Sequence, residues 1–438
     1  MVIPLTMYFI NSHKKQLFQT VFALVIVSVL YLLIRNSVLH TDITISQLRI
    51  STNSLMAAPD NLSRFATAVK TLGIYIVHFL WPVNLASDYS FNQISLASIG
   101  SPDFLITTLF IILLIIYAVR TWKKRNWISY GILFFFITIS IVSNIFILIG
   151  SNMADRFMFG PSLGLCIVVG MLLINVAKMK KLLLTGSALN FFRRFPAYTL
   201  ILIVSLLLLS IKTFTRNNVW KSNFTLFGAD IKTSDKSARV KIFYGRELMK
   251  IVKDPNTSLN EGNQYYGEAI QLFNEAALID TSWEEAYVEL GEAASYKNNQ
   301  KLALSYYNKA RELHPKDFVV LNNTGNTYFK LGIYDTAIYF LRRSLAIKSD
   351  NSNALGNLGS CFAASNQLDS AHYYYNKSLD LDPANVNTLR NLGFISKAAG
   401  NYEEAIRFFE KAISIDPRND LFKQYLKETK EALEKAHH

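Results

Sequence analysis

Two sets of residues in this 438-residue chain have the types and spacing for chemistry. The first is charge set among apolar residues. Asp155 and Arg156 are adjacent and are the only charged residues in the stretch 150–156, with long apolar runs on either side. Asp88 sits in a comparable place, in the segment Trp81-Pro82-Val83-Asn84-Leu85-Ala86-Ser87-Asp88-Tyr89-Ser90-Phe91. Charge in such surroundings is costly unless it is paired or used. It therefore reads either as an interfacial ion pair with a helix-capping Asp or as part of a site. The second set is carboxamide. Asn323, Asn357 and Asn391 recur at 34-residue steps, with Asn322, Asn326, Asn353 and Asn387 close by. One amide offers both donor and acceptor, so a row of them can satisfy an extended backbone without reading its side chains. The same amides can instead bond helix to helix. No Cys/His/Asp/Glu spacing suits a metal, and Cys166 and Cys361 lie in regions too different to pair. Neither a metal nor a cofactor is expected.

The elements that must position these residues follow from the charge distribution. No Glu occurs before Glu247, and residues 1–235 hold 20 Lys/Arg against 7 Asp. The net charge of +13 therefore sits in the first half. Within that half five runs approach the ~17–25 apolar residues that cross a bilayer: Gln16–Ile34, Phe104–Val119, Trp127–Ile149, Phe157–Ala177 and Phe195–Ile211. A sixth, Thr71–Ser87, is broken by His78, Pro82 and Asn84 and is expected not to cross fully. Basic clusters between such runs are what the positive-inside rule produces, whereas a nucleic-acid surface needs its charge on a solvated domain. The clusters are His13-Lys14-Lys15, then Arg120 with Lys123-Lys124-Arg125, then Lys178, Lys180, Lys181, Arg193 and Arg194. With each on the cytoplasmic side, the loops 36–64, 84–103 and 150–156 face outward, and so does everything after residue 215. Met1–Ile10 lacks the basic region and cleavage site of a signal peptide and reads as the tail of a membrane segment.

The second half is a repeat array. Gly291, Gly325, Gly359 and Gly393 keep a 34-residue step, as do Ala269, Ala303, Ala337, Ala371 and Ala405. Aromatics recur four residues after the Ala, at Phe273, Tyr307, Tyr375 and Phe409, and Pro315, Pro383 and Pro417 end three repeats. Each repeat is expected to be a pair of antiparallel helices. Gly and Ala let the backbones approach, the aromatic fills the gap beside them, and Pro stops the second helix. This is the pattern of tetratricopeptide (TPR) repeats. Four regular repeats precede residue 418, after one imperfect repeat from about 239 in which Gly245 lies 24 residues before Ala269. Residues 216–238 read as a linker and 419–438 as a capping helix. Such arrays curve into a groove for extended peptides or partner helices. The recurring Asn also resembles the asparagine ladder in the repeats of the enzyme that attaches N-acetylglucosamine to Ser/Thr, where the carboxamides hold the peptide backbone.

The whole combination resembles the transmembrane-and-TPR family of protein O-mannosyltransferases and its bacterial relatives. Its Pro-x-x-Leu-x-x-Asp-(Tyr/Trp)-Ser segment matches Pro82, Leu85, Asp88, Tyr89 and Ser90. Its Ser-Asn, acidic-Arg pair and Pro-Ser-x-Gly match Ser143, Asn144, Asp155, Arg156, Pro161, Ser162 and Gly164. The resemblance implies an all-α protein, a polytopic transmembrane helix bundle followed by a TPR α-solenoid. It also implies transfer of a sugar from a polyprenyl phosphate to Ser/Thr on the outer face of an inner or endoplasmic-reticulum membrane. Such chemistry needs a carboxylate near the acceptor hydroxyl and a cation at the phosphate leaving group. Arg156 suits the second role, with Asp155 or Asp88 orienting groups nearby. One departure matters: the family's catalytic acids lie in the first large outer loop. Here the loop 36–64 offers only Asp42 and Asp60, and nothing aligns them with that motif. The expectation is therefore the C-terminal part of such an enzyme, contributing part of the donor site and the acceptor groove. A non-enzymatic membrane scaffold is the rival.

Overall fold

A computed structural model describes residues 2–10, 13–38, 53–82, 85–91, 93–149, 151–176 and 195–436. Asp42, the pair Val83-Asn84, and the basic cluster from Lys178 to Arg194 lie outside the described residues. All regular structure among those described is helical. The chain divides into two compact units, Met1–Asp280 and Thr281–His438.

The first unit runs α1 (Val2–Phe9), α2 (Lys14–Val38), α3 (Asn61–Leu80), α4 (Pro102–Thr121), α5 (Trp127–Ile139), α6 (Pro161–Val176), α7 (Pro196–Val219), α8 (Asn223–Thr233), α9 (Ala238–Val252) and α10 (Leu259–Ile279). Helices α5 and α6 touch backbone to backbone. A Cβ on Gly131 would lie 2.6 Å from the Gly164 carbonyl oxygen, and one on Gly164 would lie 2.5 Å from that of Gly131. Small residues at a helix contact are how apolar helices pack when water supplies no driving force between them. Around this contact lies a core of Leu72, Tyr75, Ile76, Phe135, Ile139 and Met153. Two helices, spanning 102–124 and 199–219, are long and apolar enough to cross a membrane. Along α7 the large apolar side chains of Leu200–Val204 and Leu206–Leu209 face outward.

The run Trp127–Ile149 does not form one helix. α5 ends at Ile139, a single tight turn follows to Val142, and the chain then folds back. The cause is Asn144, buried and in the left-handed region at φ 57°. Its Oδ1 accepts from Ile149 N (2.9 Å) and Asn53 Nδ2 (3.1 Å), while its Nδ2 donates to the carbonyls of Ser151 and Asn152 (both 3.1 Å). Asn tolerates this backbone region better than the apolar residues around it, and its amide replaces the lost helical bonds. Thr71–Ser87 also differs in extent. Asp60 caps a helix that starts at Asn61, and the helix carries Arg64 and Lys70 before the apolar stretch.

Residues 216–238, read as a linker, are mostly helical and docked. Ala238 N donates to the Phe91 carbonyl (2.9 Å), Gln93 Nε2 to that of Thr233 (2.9 Å), and Ser234 Oγ to that of Asp88 (3.1 Å). The imperfect repeat then packs as the regular ones do, with Gly245 set against the Phe273 ring. Its inserted residues lengthen α10 to 21 residues, where the equivalent helices of the second unit have 14.

The second unit pairs α11 (Glu284–Tyr296) with α12 (Gln300–Leu313), α13 (Phe318–Lys330) with α14 (Tyr334–Ile347), α15 (Ser352–Ala364) with α16 (Leu368–Leu381), and α17 (Val386–Ala398) with α18 (Tyr402–Ile415). The cap is α19 (Asp420–Ala436). In every pair the Gly meets a large side chain of the second helix, an aromatic in three pairs and Leu341 in the other. A Cβ on Gly291, Gly325, Gly359 or Gly393 would meet Tyr307, Leu341, Tyr375 or Phe409 at 2.5–2.7 Å. Ala303, Ala337, Ala371 and Ala405 are wholly buried. Phe422 and Tyr425 of α19 close the last core against Leu389, Phe394 and Phe409.

Candidate functional site

The first helices of three successive pairs, α13, α15 and α17, line a groove of about 660 Å³. Among its walls are Asn326, Asn353, Asn357, Asn387 and Asn391, with Phe329 and Phe394. Repeat geometry explains this set. The larger apolar residues of each first helix turn into its own pair, which leaves short polar side chains on the opposite face. The carboxamides form a directed series. Asn391 Nδ2 donates to Ser360 Oγ (3.0 Å). Asn357 Nδ2 donates to Asn322 Oδ1 (3.0 Å), Asn322 Nδ2 to Asn323 Oδ1 (3.2 Å), and Asn323 Nδ2 to Glu292 Oε1 (3.2 Å). Asn357 and Asn391 thus bond helix to helix and also line the groove. Asn326 and Asn387 have no hydrogen-bond partner among the described residues. Asn322 and Asn323 belong to the bonded series without lining the groove itself.

Sequence reasoning missed Ser360, Lys330 and Arg390. Ser360 receives hydrogen bonds from Asn391 and from the Tyr375 hydroxyl (3.1 Å) and so ties the ladder to the Gly359–Tyr375 contact. It follows a repeat Gly directly, which was the available signal. Lys330 and Arg390 also border the groove. Burial raises the Tyr375 phenol above its usual value, so it remains a hydrogen-bond donor.

In the first unit the three charged candidates part company. Asp155 does not pair with Arg156. Its Oδ1 lies 3.4 Å from His78 Nδ1, and its Oδ2 accepts from the Tyr89 hydroxyl at 3.0 Å. The Tyr89 oxygen in turn accepts from Ala86 N (2.9 Å). Arg156 is exposed, has no acidic partner among the described residues, and lies over the Phe157 ring at 5.3 Å. The turn Asp155–Met158 explains the split, because consecutive side chains on a tight helical turn point apart. Asp88 is held elsewhere. Its carboxylate accepts from Ser90 Oγ (2.5 Å) while its backbone is tied to Ser234. Burial pushes its carboxyl above the usual range, opposed by the Ser90 hydrogen bond and the charge of Arg239. Beside it Asp230, fully buried, accepts from Arg216 Nη2 (3.1 Å) and from Ser87 N (2.9 Å) and its hydroxyl. Asp88 is therefore part of the seam between segment 85–93 and α8–α9. Asp155 and Arg156 lie at the foot of α6, with His78 as the partner that sequence alone did not supply. The group Ser143-Asn144 is the knot that folds the loop.

Helix pairs with Gly set against an aromatic, stacked and capped, define the second unit as a TPR solenoid. Tetratricopeptide-repeat family models match residues 317–384 and 386–419. The chain is also similar to proteins named as O-mannosyl-transferases. It is 27% identical over 221 residues to protein O-mannosyl-transferase TMTC1 of Homo sapiens, covering 49% of this chain and 23% of that one. It is 26% identical over 213 residues to O-mannosyl-transferase F38B6.6 of Caenorhabditis elegans, covering 48% and 28%. TMTC3 of Homo sapiens is 26% identical over 174 residues, covering 40% and 16%. Each match thus spans less than a third of the relative's length. Among solved structures, YrrB, described as a TPR protein with an unusual peptide-binding site, is 22% identical with a TM-score of 0.32, covering 46% of this chain and 97% of that one. TTC0263, a TPR protein of Thermus thermophilus, is 15% identical with a TM-score of 0.39, covering 44% and 98%.

Proposed function

We propose that this chain is a membrane-embedded TPR protein of the O-mannosyltransferase type, whose groove holds an extended segment of an acceptor or partner polypeptide. The observation that carries this reading is the groove, where carboxamides from three successive repeats sit at one face. An extended chain has a donor and an acceptor at every residue, and a row of amides answers both. The outward-facing apolar side chains of α4 and α7 support embedding, since surfaces of that kind are unstable in water. The sugar would come from a polyprenyl phosphate, with Arg156 neutralising the phosphate as the sugar leaves it for a Ser/Thr hydroxyl. Asp155, oriented by His78 and Tyr89, and Asp88 are the remaining candidates of that donor site. The repeats would stand on the outer face. Sugar transfer to a Ser/Thr peptide by the reconstituted protein tests the donor site. The reading expects Arg156→Ala to abolish transfer, and unchanged transfer removes Arg156 from it.

A scaffold without transferase activity is favoured by one specific observation. Asp88 and Asp155 are both engaged in hydrogen bonds that hold segments of the first unit together. Titration of a labelled unstructured peptide onto the full chain in nanodiscs serves both readings. Asn357→Ala with Asn391→Ala weakens binding if the groove is used. Binding without any transfer selects the scaffold.

A further inference from the structure

The groove is uniformly free of acid. Helices α13, α15 and α17 contain no Asp or Glu at all. Yet residues 281–438 as a whole hold 19 Lys/Arg and 19 Asp/Glu. The acids lie elsewhere: on α11, in the turns between helices, on the second helices of the pairs as at Asp335, Asp369 and Glu404, and on α19. The charged residues that line the groove are Lys330, at the end of α13, and Arg390, in the middle of α17. Neither has an acidic partner among the described residues. Lys330 Nζ donates to the Ser295 hydroxyl (2.9 Å), and Arg390 Nε and Nη2 reach only the Asn391 amide oxygen (both 3.4 Å). Some cations off this face are paired, as in Lys397 with Glu428 (3.6 Å) and Lys430 with Glu410 (3.2 Å). The one acid in the amide series, Glu292 on α11, is bonded to Asn323 outside the groove lining. Desolvation by the surrounding protein holds the Lys330 ammonium below the usual lysine value.

We infer that the groove selects an extended polypeptide carrying at least two acidic side chains, whose carboxylates sit on Lys330 and Arg390 while the Asn amides take the backbone between them. This rests on the groove reading above and adds the partner's chemistry. Two cations two repeats apart ask for two carboxylates, and a chain terminus supplies one. Arg can meet a carboxylate with two parallel hydrogen bonds and Lys meets it as a point charge.

The test uses the full chain in nanodiscs of uncharged lipid and fluorescence anisotropy. The probes are labelled unstructured peptides of equal length with amidated C-termini, one bearing spaced Asp and the other Asn at the same places. The acidic peptide is expected to bind more tightly by about five- to tenfold per carboxylate at low salt. The advantage should shrink as salt rises. Lys330→Gln with Arg390→Gln should bring the acidic peptide down to the neutral one, whose own retained affinity shows that the groove is still folded. Equal affinity of the two peptides for the unmodified chain overturns the inference and leaves the groove reading standing. A neutral peptide with a free C-terminus that binds as well as the acidic one overturns it in favour of terminal recognition. If neither peptide binds, the groove reading itself fails, and the inference with it.

Discussion

One substitution, Gly to Ala, should change sign between two helices of this chain. In α15 a Cβ on Gly359 would lie 2.7 Å from Cδ1, 2.8 Å from Cε1 and 3.1 Å from Cγ of Tyr375. These are ring atoms near the backbone, not the free end of a flexible chain. The ring is 2% exposed and its hydroxyl is fixed on Ser360 at 3.1 Å, so it has nowhere to move. Overpacking of this kind costs about 1–3 kcal/mol, while Ala gains ~1 kcal/mol over Gly in a helix interior. The net for Gly359→Ala is a loss of about 1 kcal/mol. Gly267 in α10 is exposed and has nothing within 4 Å of its virtual Cβ, so Gly267→Ala keeps the gain of ~0.5–1 kcal/mol undiminished. Amide hydrogen exchange reads each helix locally, without assuming that the chain unfolds as one body. The slowest amides of α15 and α16 should exchange about fivefold faster in Gly359→Ala, and those of α10 severalfold slower in Gly267→Ala. Slowed exchange in Gly359→Ala would refute the argument that the repeat glycines exist to admit the ring.

Asn144→Ala removes four hydrogen bonds and puts at φ 57° a residue without the short polar side chain that lets Asn adopt the left-handed region. A loss of about 3 kcal/mol follows, visible as protease cleavage within 143–154, and unchanged resistance contradicts it. Arg216→Met strands the buried Asp230 carboxylate at a cost of about 3–5 kcal/mol. Exchange should rise at 85–93 and 230–238, and adding Asp230→Asn should restore most of the protection. Lys241, bonded to Glu275 at 2.5 Å, holds that carboxyl below its ordinary 4.5. A depressed folded value means stabilisation that is present above the unfolded value and lost as pH falls through the folded one. Protection of α9 and α10 should therefore fall with acidification below about pH 4.5, and Glu275→Gln should flatten that dependence.

The repeats were legible because their decisive contacts are close in sequence. Gly291 meets Tyr307, Gly359 meets Tyr375 and Gly393 meets Phe409, each within one helix pair. Even the inserted residues after Gly245 left the Gly245–Phe273 contact in place. The groove amides were legible for the same reason, since period and helical face place Asn357 and Asn391 together. What was not legible depends on pairings that no local pattern encodes. Asp88, Ser90 and Gln93 meet Ser234, Ser237 and Thr233 across 140 or more residues of chain. Asn53 reaches Asn144 across 91. Composition marked Trp127–Ile149 as one apolar run, but hydropathy does not register the single residue, Asn144, that can turn the backbone and supply its lost bonds. Adjacency suggested a pair between Asp155 and Arg156, and the tight turn that carries them sends their side chains apart.

The central claim is that an extended polypeptide lies along α13, α15 and α17. It is tested most directly by hydrogen exchange of the full chain in nanodiscs, with and without a saturating unstructured acidic peptide. Slowed exchange confined to the amides of α13, α15 and α17, and lost in the Asn357→Ala, Asn391→Ala variant, is the predicted result. Protection on α14, α16 and α18 instead, or none anywhere in the repeats under conditions where the peptide is bound, contradicts it.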